Sequence, residues 1–511
     1  MRGDPGRLFI MGWDGADWHY LSWLVKSGKL PFLAAVFKDG RAAPLLSTVP
    51  PISPAAWVSF STGKTPGEHG VFSFYRRPPE SSSYRRHPIS SDYWSEFSIW
   101  EALDRQSIPL VLHNVPMTYP PLKLTNGVCI SGLGSPGEDV SCLTSPDWVG
   151  AELKHEVPGY VADLSTIQGS FTRDNLVADV MKMAESRIRA VRWLFDRVAW
   201  SIFFMVFTAP DRLEHEFWKF HDPTHPGHKD HGWERYCTCV PALYRKLDAF
   251  LGEILARLDK KDTLLVISDH GFGPLEKEFY VNRWLEETGL LIIKPDSPLA
   301  RGKSGPDSLV ESVDWTRTQI YCMGHLGELF LNLKGREPAG IIDPGDEAES
   351  VLRQVERRLK ELVDPVDGKP LCDWVRRGAD LFHGERSFEA PDLLFCMQGY
   401  RIKGYMTGRG FEFQDRSRPL ISSVVPGGRS GEHREEGIAL ASGNLADELV
   451  PGRQRISDLG CRIARLFGVD TNNNTARQAK KNTPVKAKRN VYTTEEEEIL
   501  RERLRSLGYL E

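Results

Sequence analysis

The apolar residues of this chain fall into two recurring patterns. Short unbroken runs bounded by turn residues appear at Leu8–Met11 and in "IPLVLHNVP", "GVCISGLG", "SIFFMVFTAPD" and "DTLLVISDHGFG". Between them lie longer segments whose apolar positions recur every three or four residues. These are "LSWLVKSGKLPFLAAVFKDG", with breaks at Gly28 and Pro31, "NLVADVMKMAESRIRAVRWLFDRV" and "VPALYRKLDAFLGEILARLD". The short runs read as buried strands and the periodic segments as amphipathic helices. Strands alternating with helices predict an α/β fold, a mostly parallel sheet flanked by helices on both faces.

Two parts of the chain depart from this rhythm. From about Leu275 to Pro426 the pattern loosens, and the richness in Gly, Pro and charge predicts inserted loops and small strands. The segment Pro50–Gly70, "PPISPAAWVSFSTGKTPGEHG", has no clear period of either kind. Its hydroxyls Ser53, Ser59, Ser61 and Thr62 suit a turn as readily as a reactive site.

After Gly468 the composition changes. Residues 471–490 are polar and basic and read as a flexible linker. Residues 491–511 read as an amphipathic helix. Thr494 and Glu497 fit a capping box, glutamates fill the first turn, and Gly508 suits the C-terminal stop. Ile499, Leu500, Leu504 and Leu507 form one apolar stripe, expected to dock on the chain's own surface. The expected organisation is one large unit over residues 1–470 with inserts within about 275–426, then the linker, then the helix.

Bulk composition narrows the function classes. The chain has 511 residues, 41% hydrophobic and 26% charged, enough for a full core without disulfide staples. A net charge of −4 gives no global basic field, so nucleic acid is not expected as a dedicated partner. The eight cysteines are scattered, and the C-x-C at Cys237 and Cys239 has no second pair at metal-ligand spacing. They read as thiols in a reducing compartment. The apolar run near the N-terminus is too short for a signal peptide, and "AWSIFFMVFTA" is too short for a membrane span. A cytoplasmic protein is expected. Oligomeric state is not legible.

Chemistry collects at the strand ends. In open parallel sheets, functional groups gather beyond the carboxyl ends of strands. Asp14 ends "FIMGWD"; Asp211 ends "FFMVFTAPD", with His215 four residues on; Asp269 ends "LLVISD", with His270 adjacent. One such Asp is unremarkable, because Asp caps helices and makes turns. Three of them, two with a nearby His, point to a metal site. Mixed oxygen and imidazole ligands suit zinc, manganese or iron rather than calcium. D-x-x-x-H places Asp211 and His215 on one face if the loop enters a helix. Gly271 and Gly273 give the D-H step room to bend. His433, in the polar loop "SGEHREEG", is a further candidate, although alone it reads as a surface His. His69 in "PGEHG" reads as a loop-holding residue, and His221, His225, His228 and His231 as a solvated His-rich loop.

In motif order the chain resembles the alkaline phosphatase superfamily, in its type I phosphodiesterase/nucleotide pyrophosphatase branch. The resemblance rests on "GWDGAD", "SPAAWVSFSTGKTPGEHGVF", "TAPDRLEH", "SDHGFGP" and "GEHREEGI" and covers most of residues 7–440. It implies an alkaline-phosphatase-like fold and a site with two divalent metals, usually zinc. One would be held by Asp211, His215 and His433, the other by Asp14, Asp269, His270 and the nucleophile oxygen. The family nucleophile lies ten residues before the Gly of "TG", which selects Ser53 and leaves Ser59, Ser61 and Thr62 to structural roles. A metal-activated hydroxyl needs no neighbouring base, and two dications against Asp14, Asp211 and Asp269 leave positive charge for a phosphate.

One departure bears on substrate. Family members usually carry an Asn shortly after the "HG", where it donates to a phosphate oxygen; here that position is Phe74. Replacement groups for the phosphate include Arg76, Arg77 and Lys64, with Arg85, Arg86 and Arg173 as further cations. Phe74, Tyr75, Trp57 and Trp218 are aromatics that could line a pocket for a second ester group. The reading is a metal-dependent hydrolase of a small-molecule phosphoester, a diester favoured over a monoester, acting through a phosphoseryl intermediate. Phosphomonoesterase or phosphotransfer chemistry and a non-catalytic binding protein are the alternatives. The sulfatase signature C/S-x-P-x-R is absent at "SPAAW".

Overall fold

The computed structural model describes residues 5–77, 83–137, 139–164, 172–303, 306–324, 326–406, 419–423, 428–470 and 491–506. The unbroken apolar runs form the middle of a nine-stranded sheet. Leu8–Trp13 pairs in parallel with Ile202–Phe207 on one side and Thr263–Ile267 on the other. Leu110–Val115 and Gly127–Ser131 continue the parallel set. Glu436–Gly443 enters antiparallel between Thr263–Ile267 and Arg41–Leu46. Gln454–Arg455 and Thr144–Ser145 form the edges.

Why the central strands lack polar alternation is plain from their burial. Leu8 and Ile10 point into one core, while Phe9, Met11 and Trp13 point into the other. With both faces covered, every position can be apolar. Trp18–Lys26, Pro31–Asp39, Arg173–Arg197, Ala209–His221 and Cys239–Arg257 pack on one face. The break at Gly28 and Pro31 does separate two helices. Ser53–Thr62, Ile99–Arg105 and Ile456–Leu466 pack on the other face.

The segment without a period contains a helix, Ser53–Thr62, and every one of its residues is buried. A helix enclosed on all sides has no polar stripe, so periodicity could not reveal it. It ends at Gly63, in the left-handed region at φ 63°. A Cβ there would lie 2.6 Å from the Cys461 sulfur and 3.1 Å from the Cys461 nitrogen. The helix therefore rests almost backbone to backbone on Ile456–Leu466, a chain segment remote in sequence.

The region expected to be loosely built is a second sheet with its own core. Ile320–Cys322, Leu329–Leu331, Leu393–Met397, Ile402–Tyr405, Lys277–Tyr280 and Ile421–Ser423 lie side by side, and Cys372–Arg377 pairs with Leu393–Met397. Phe279, Trp284, Tyr321, Phe330 and Phe395 are among its buried residues. Its strands are short and their partners distant, as in Lys277–Tyr280 against Ile402–Tyr405, so no single stretch carries a readable pattern.

At the C-terminus the helix Thr494–Ser506 docks on the main core through Tyr492, Leu500 and Leu504, while Ile499 is 38% exposed. Its cap sits one residue earlier than the capping-box spacing at Thr494 and Glu497 suggests. Thr493 Oγ1 accepts from the Glu496 amide at 3.2 Å, and the Thr493 amide donates to Glu496 Oε2 at 2.8 Å. Both boxes satisfy the same motif, and tertiary placement selects between them. Leu507, Gly508 and the basic stretch 471–490 lie outside the described residues. Among the described residues no helix is long and apolar enough to cross a membrane.

Candidate metal centre

The loops at the carboxyl ends of the central strands converge. Asp14 follows Leu8–Trp13, and Asp269 and His270 follow Thr263–Ile267. Asp211 and His215 sit one turn apart in Ala209–His221, the helix after Ile202–Phe207. The Asp211 amide donates to the Asp14 carbonyl at 3.1 Å, and the Gly15 amide to Asp269 Oδ1 at 3.2 Å. Gly15 has φ 80°, and a Cβ would meet the Asp211 Cα at 3.1 Å. Two strand ends can come this close only with glycine there.

His433 is not in a polar loop. It lies in the strand Gly431–Arg434, which pairs antiparallel with Gly271–Pro274 and sets His433 opposite Phe272. The pairing partner is remote in the chain, so local polarity misleads. The ribbon carries His433 back over the strand ends and buries it.

Ser53 is the first residue of its helix, and its Oγ lies 3.1 Å from His270 Nε2 and 3.4 Å from Asp14 Oδ1. His270 Nε2 is 3.3 Å from Asp269 Oδ2. Ligand atoms of Asp14, Asp269 and His270 thus share one site. Next to it, His433 Nε2 lies 3.1 Å from Asp211 Oδ1 and 3.0 Å from His215 Nε2, and His215 Nε2 is 3.3 Å from the same Asp211 oxygen. The His270 and His433 rings stack at 3.7 Å between centroids, so the two groups are adjacent.

Each imidazole is oriented from behind. His215 Nδ1 donates to the Gly431 carbonyl at 3.0 Å, His433 Nδ1 to the Pro51 carbonyl at 2.8 Å, and His270 Nδ1 to the Gly271 carbonyl at 3.0 Å. A nitrogen facing a carbonyl must carry the proton, which leaves every Nε2 as a bare lone pair. Burial lowers the pKa of His215 and of His270 to about 4, so both rings are neutral near pH 7. Two bare Nε2 atoms and a carboxylate oxygen pointing at one another repel unless a cation lies among them.

The carboxylates give the same message. Burial, then Asp269 and Asp211, push Asp14 well above the ordinary carboxylate range. Burial, then Asp211, push Asp269 up to about 8. At Asp211 burial also raises the pKa, while charge on His215, hydrogen bonds from His215 and His433 and the Arg212 guanidinium lower it; the imidazole contributions need protonated rings, so with neutral rings Arg212 alone offsets the burial. The donor set fits divalent metal: hard oxygens and neutral imidazoles, buried and short of positive charge.

Several further residues hold these ligands in place. Trp57 Nε1 donates to Asp14 Oδ2 at 2.8 Å. Arg212 Nη1 donates to Asp211 Oδ2 at 3.0 Å, which leaves Oδ1 for the imidazoles. Glu432 has an oxygen within reach of His215 and His433 and pairs with Lys403 Nζ at 2.7 Å. Arg212 and Glu432 are each the immediate neighbour of a candidate ligand, Asp211 and His433, whereas Trp57 was expected to line a substrate pocket rather than to hold Asp14.

The substrate-side candidates are not part of this cluster. Phe74 is buried in the main core. Arg77 pairs with Glu337 at 2.7 Å, Lys64 lies 3.6 Å from Glu68, and the Arg76 guanidinium stacks 4.9 Å over the Tyr93 ring. Arg173 Nε donates to Glu216 at 2.7 Å. Trp218 is core and stacks near Phe272, whose ring lies against His215. His69 does brace its loop: Nε2 meets Ser59 Oγ at 3.0 Å and Nδ1 accepts from the Val71 amide. The His-rich run is more packed than a solvated loop. His225 Nε2 donates to the Leu275 carbonyl, and His228 Nδ1 to the Lys219 carbonyl. These backbone bonds pin the turn against the metal-side helix.

Comparison with known proteins adds to this picture. The family model for type I phosphodiesterase / nucleotide pyrophosphatase matches residues 8–414. Among solved structures, phosphonoacetate hydrolase from Sinorhizobium meliloti 1021 in complex with phosphonoformate is 15% identical. The match covers 91% of this chain and 96% of that one, with a TM-score of 0.58. Its complex with phosphonoacetate gives the same identity and coverage and a TM-score of 0.59. Murine ectonucleotide pyrophosphatase / phosphodiesterase 5 is 14% identical over 91% of this chain and 96% of that one, with a TM-score of 0.47. At such identity the hydrolase likeness speaks to fold, and it is an alkaline-phosphatase-like one. No curated protein matches the chain.

Proposed function

Since the chain belongs to the type I phosphodiesterase / nucleotide pyrophosphatase family, and is therefore a metal-dependent phosphoester hydrolase, we propose that it cleaves a small-molecule phosphodiester through a phosphoseryl intermediate on Ser53. In this reading Asp211, His215 and His433 hold one divalent ion, and Asp14, Asp269, His270 and the Ser53 oxygen hold the other. Zinc suits the donor set best. The supporting observation is the convergence of the bare Nε2 atoms of His215 and His433 on one Asp211 oxygen, beside a serine hydroxyl 3.1 Å from His270 Nε2.

Bound dications would supply the charge that lowers the serine pKa and offsets the phosphate oxygens. The chain's own groups do the rest. Ser53 Oγ forms a bond to phosphorus as the bond to the leaving oxygen breaks; water then cleaves the Oγ–phosphorus bond and restores the serine. Ser53 opens a helix, whose first-turn amides have no intrahelical acceptor and whose dipole favours negative charge at that end. This supports phosphate binding without the Asn that Phe74 replaces. A diester is favoured by the family's phosphodiesterase character. None of the eight cysteines is in a disulfide, which supports a reducing, cytoplasmic compartment. We take residues 1–470 as the catalytic unit and the terminal helix as an element docked on it.

The test compares nitrophenyl phosphate with bis-nitrophenyl phosphate for wild type and Ser53→Ala, with and without chelator. The expected result is faster turnover of the diester, abolished by chelator and restored by zinc, with Ser53→Ala inactive yet still binding metal. Full turnover by metal-loaded Ser53→Ala would refute the serine mechanism. Transfer to an added alcohol would redirect the assignment to phosphotransfer.

A further inference from the structure

Away from the metal ligands, the terminal helix, the second sheet and the stretch after Ser73 enclose a cleft of about 660 Å³, counting its open mouth. It shares no residue with the metal-ligand groups. Its charged lining is Arg85 and Arg86 from the chain after Ser73, Arg501 and Arg505 from the terminal helix, and Asp307. Tyr75, Val310, Met323 and Met406 supply apolar lining.

Arg86 is the telling residue. Its guanidinium lies 4.2 Å over the Phe330 ring, and its Nη2 is buried with no hydrogen-bond partner among the described residues. Asp307 does not serve it, because that carboxylate engages Arg501 at 2.8 Å and Arg85 at 3.2 Å. An arginine nitrogen buried without an acceptor costs free energy, and such a fork suits a phosphate or carboxylate oxygen. The Asp307–Arg501 pair, with Arg501 Nη2 donating to the Arg86 carbonyl at 3.1 Å, ties the helix in place as one wall of the cleft.

We propose that this cleft binds a ligand with one anionic head on an apolar body. Arg86 takes the head, and Tyr75, Val310, Met323 and Met406 hold the body. The site is separate from the metal centre, so its occupancy does not depend on the serine mechanism.

Calorimetric titration of the full-length, metal-loaded protein tests this with hexylphosphonate, hexanoate and methylphosphonate. Hexylphosphonate should bind at least about tenfold more tightly than methylphosphonate, which lacks the body. Hexanoate shows whether a carboxylate head is accepted as well as a phosphonate one. Arg86→Gln should weaken hexylphosphonate by about tenfold or more. Val310→Trp, which fills the cleft and removes no charge, should do the same. Asp269→Asn, which alters the metal centre, should leave binding intact. Thermal unfolding confirms that each variant is folded, and Val310→Trp decides the matter if Arg86→Gln is not. Loss of binding in Asp269→Asn with retention in the cleft variants would overturn the proposal, as would equal affinity for the hexyl and methyl probes or no binding at millimolar concentration.

Discussion

Trp57→Phe isolates the support of one proposed metal ligand, Asp14. Trp57 is fully buried and its Nε1 donates to Asp14 Oδ2 at 2.8 Å. The other Asp14 oxygen lies 3.4 Å from Ser53 Oγ and 3.8 Å from His270 Nε2, so the indole decides which oxygen faces the site. The ring packs near Phe60 and Phe204 and crosses so close to Gly12 that a Cβ there would lie 2.8 Å from it. Phenylalanine keeps most of this packing and removes the N–H. A hydrogen bond to a charged group is worth about 1.5–3 kcal/mol, and Asp14 is fully buried. Asp14 is already raised by burial and by Asp269 and Asp211, and the lost donor raises it further. Metal must then displace a more firmly held proton. The expected cost is about 10–100-fold in metal affinity, which at 1.4 kcal/mol per decade matches the lost bond.

The assay strips the protein, then follows turnover of bis-nitrophenyl phosphate against free zinc. Wild type and variant should reach kcat values within about twofold at saturating zinc, because the loss is one of ligand positioning. The variant's midpoint should lie at about 10–100-fold higher zinc. A folded variant with an unchanged midpoint would show that the indole does not hold Asp14. A kcat that stays low at saturating zinc would place Trp57 in the reacting geometry instead.

Other outcomes follow from single contacts. Gly63→Ala forces a left-handed backbone and a Cβ 2.6 Å from the Cys461 sulfur, and should lower stability by about 2 kcal/mol or more, read from denaturant unfolding. Leu504→Ala empties a fully buried site under the terminal helix and should cost about 2–4 kcal/mol; an unchanged melting temperature would mean the helix is not docked. Asp262 accepts from the Arg7 amide at 2.9 Å, from Arg7 Nε at 3.0 Å and from Arg7 Nη2 at 2.6 Å. Burial raises the Asp262 pKa, but these bonds outweigh it and hold the group below 3.8. Its contribution is therefore present above the ordinary carboxylate pKa and lost as pH falls through the folded value. Arg7→Leu should cost about 1–2 kcal/mol at pH 7 and less near pH 3, and a penalty independent of pH would refute that linkage.

Much of this protein is written locally. A strand buried on both faces is an apolar run wherever it sits, so the central strands of the large sheet could be read one at a time. Asp14, Asp211 with His215, and Asp269 with His270 stand at the ends of such strands, and the four-residue spacing needs only a helix to align its pair. Other features depend on contacts between distant segments. Ser53–Thr62 is a helix enclosed on all sides, so no stripe betrays it, and its packing on Ile456–Leu466 adds to the left-handed backbone in calling for Gly63. His433 looks like a surface residue until Gly431–Arg434 pairs with Gly271–Pro274. The second sheet joins short strands across more than a hundred residues. Trp57, Arg212 and Glu432 gain their roles from the atoms that folding sets beside them, because a hydrogen bond at 3 Å has no image in the order of the chain.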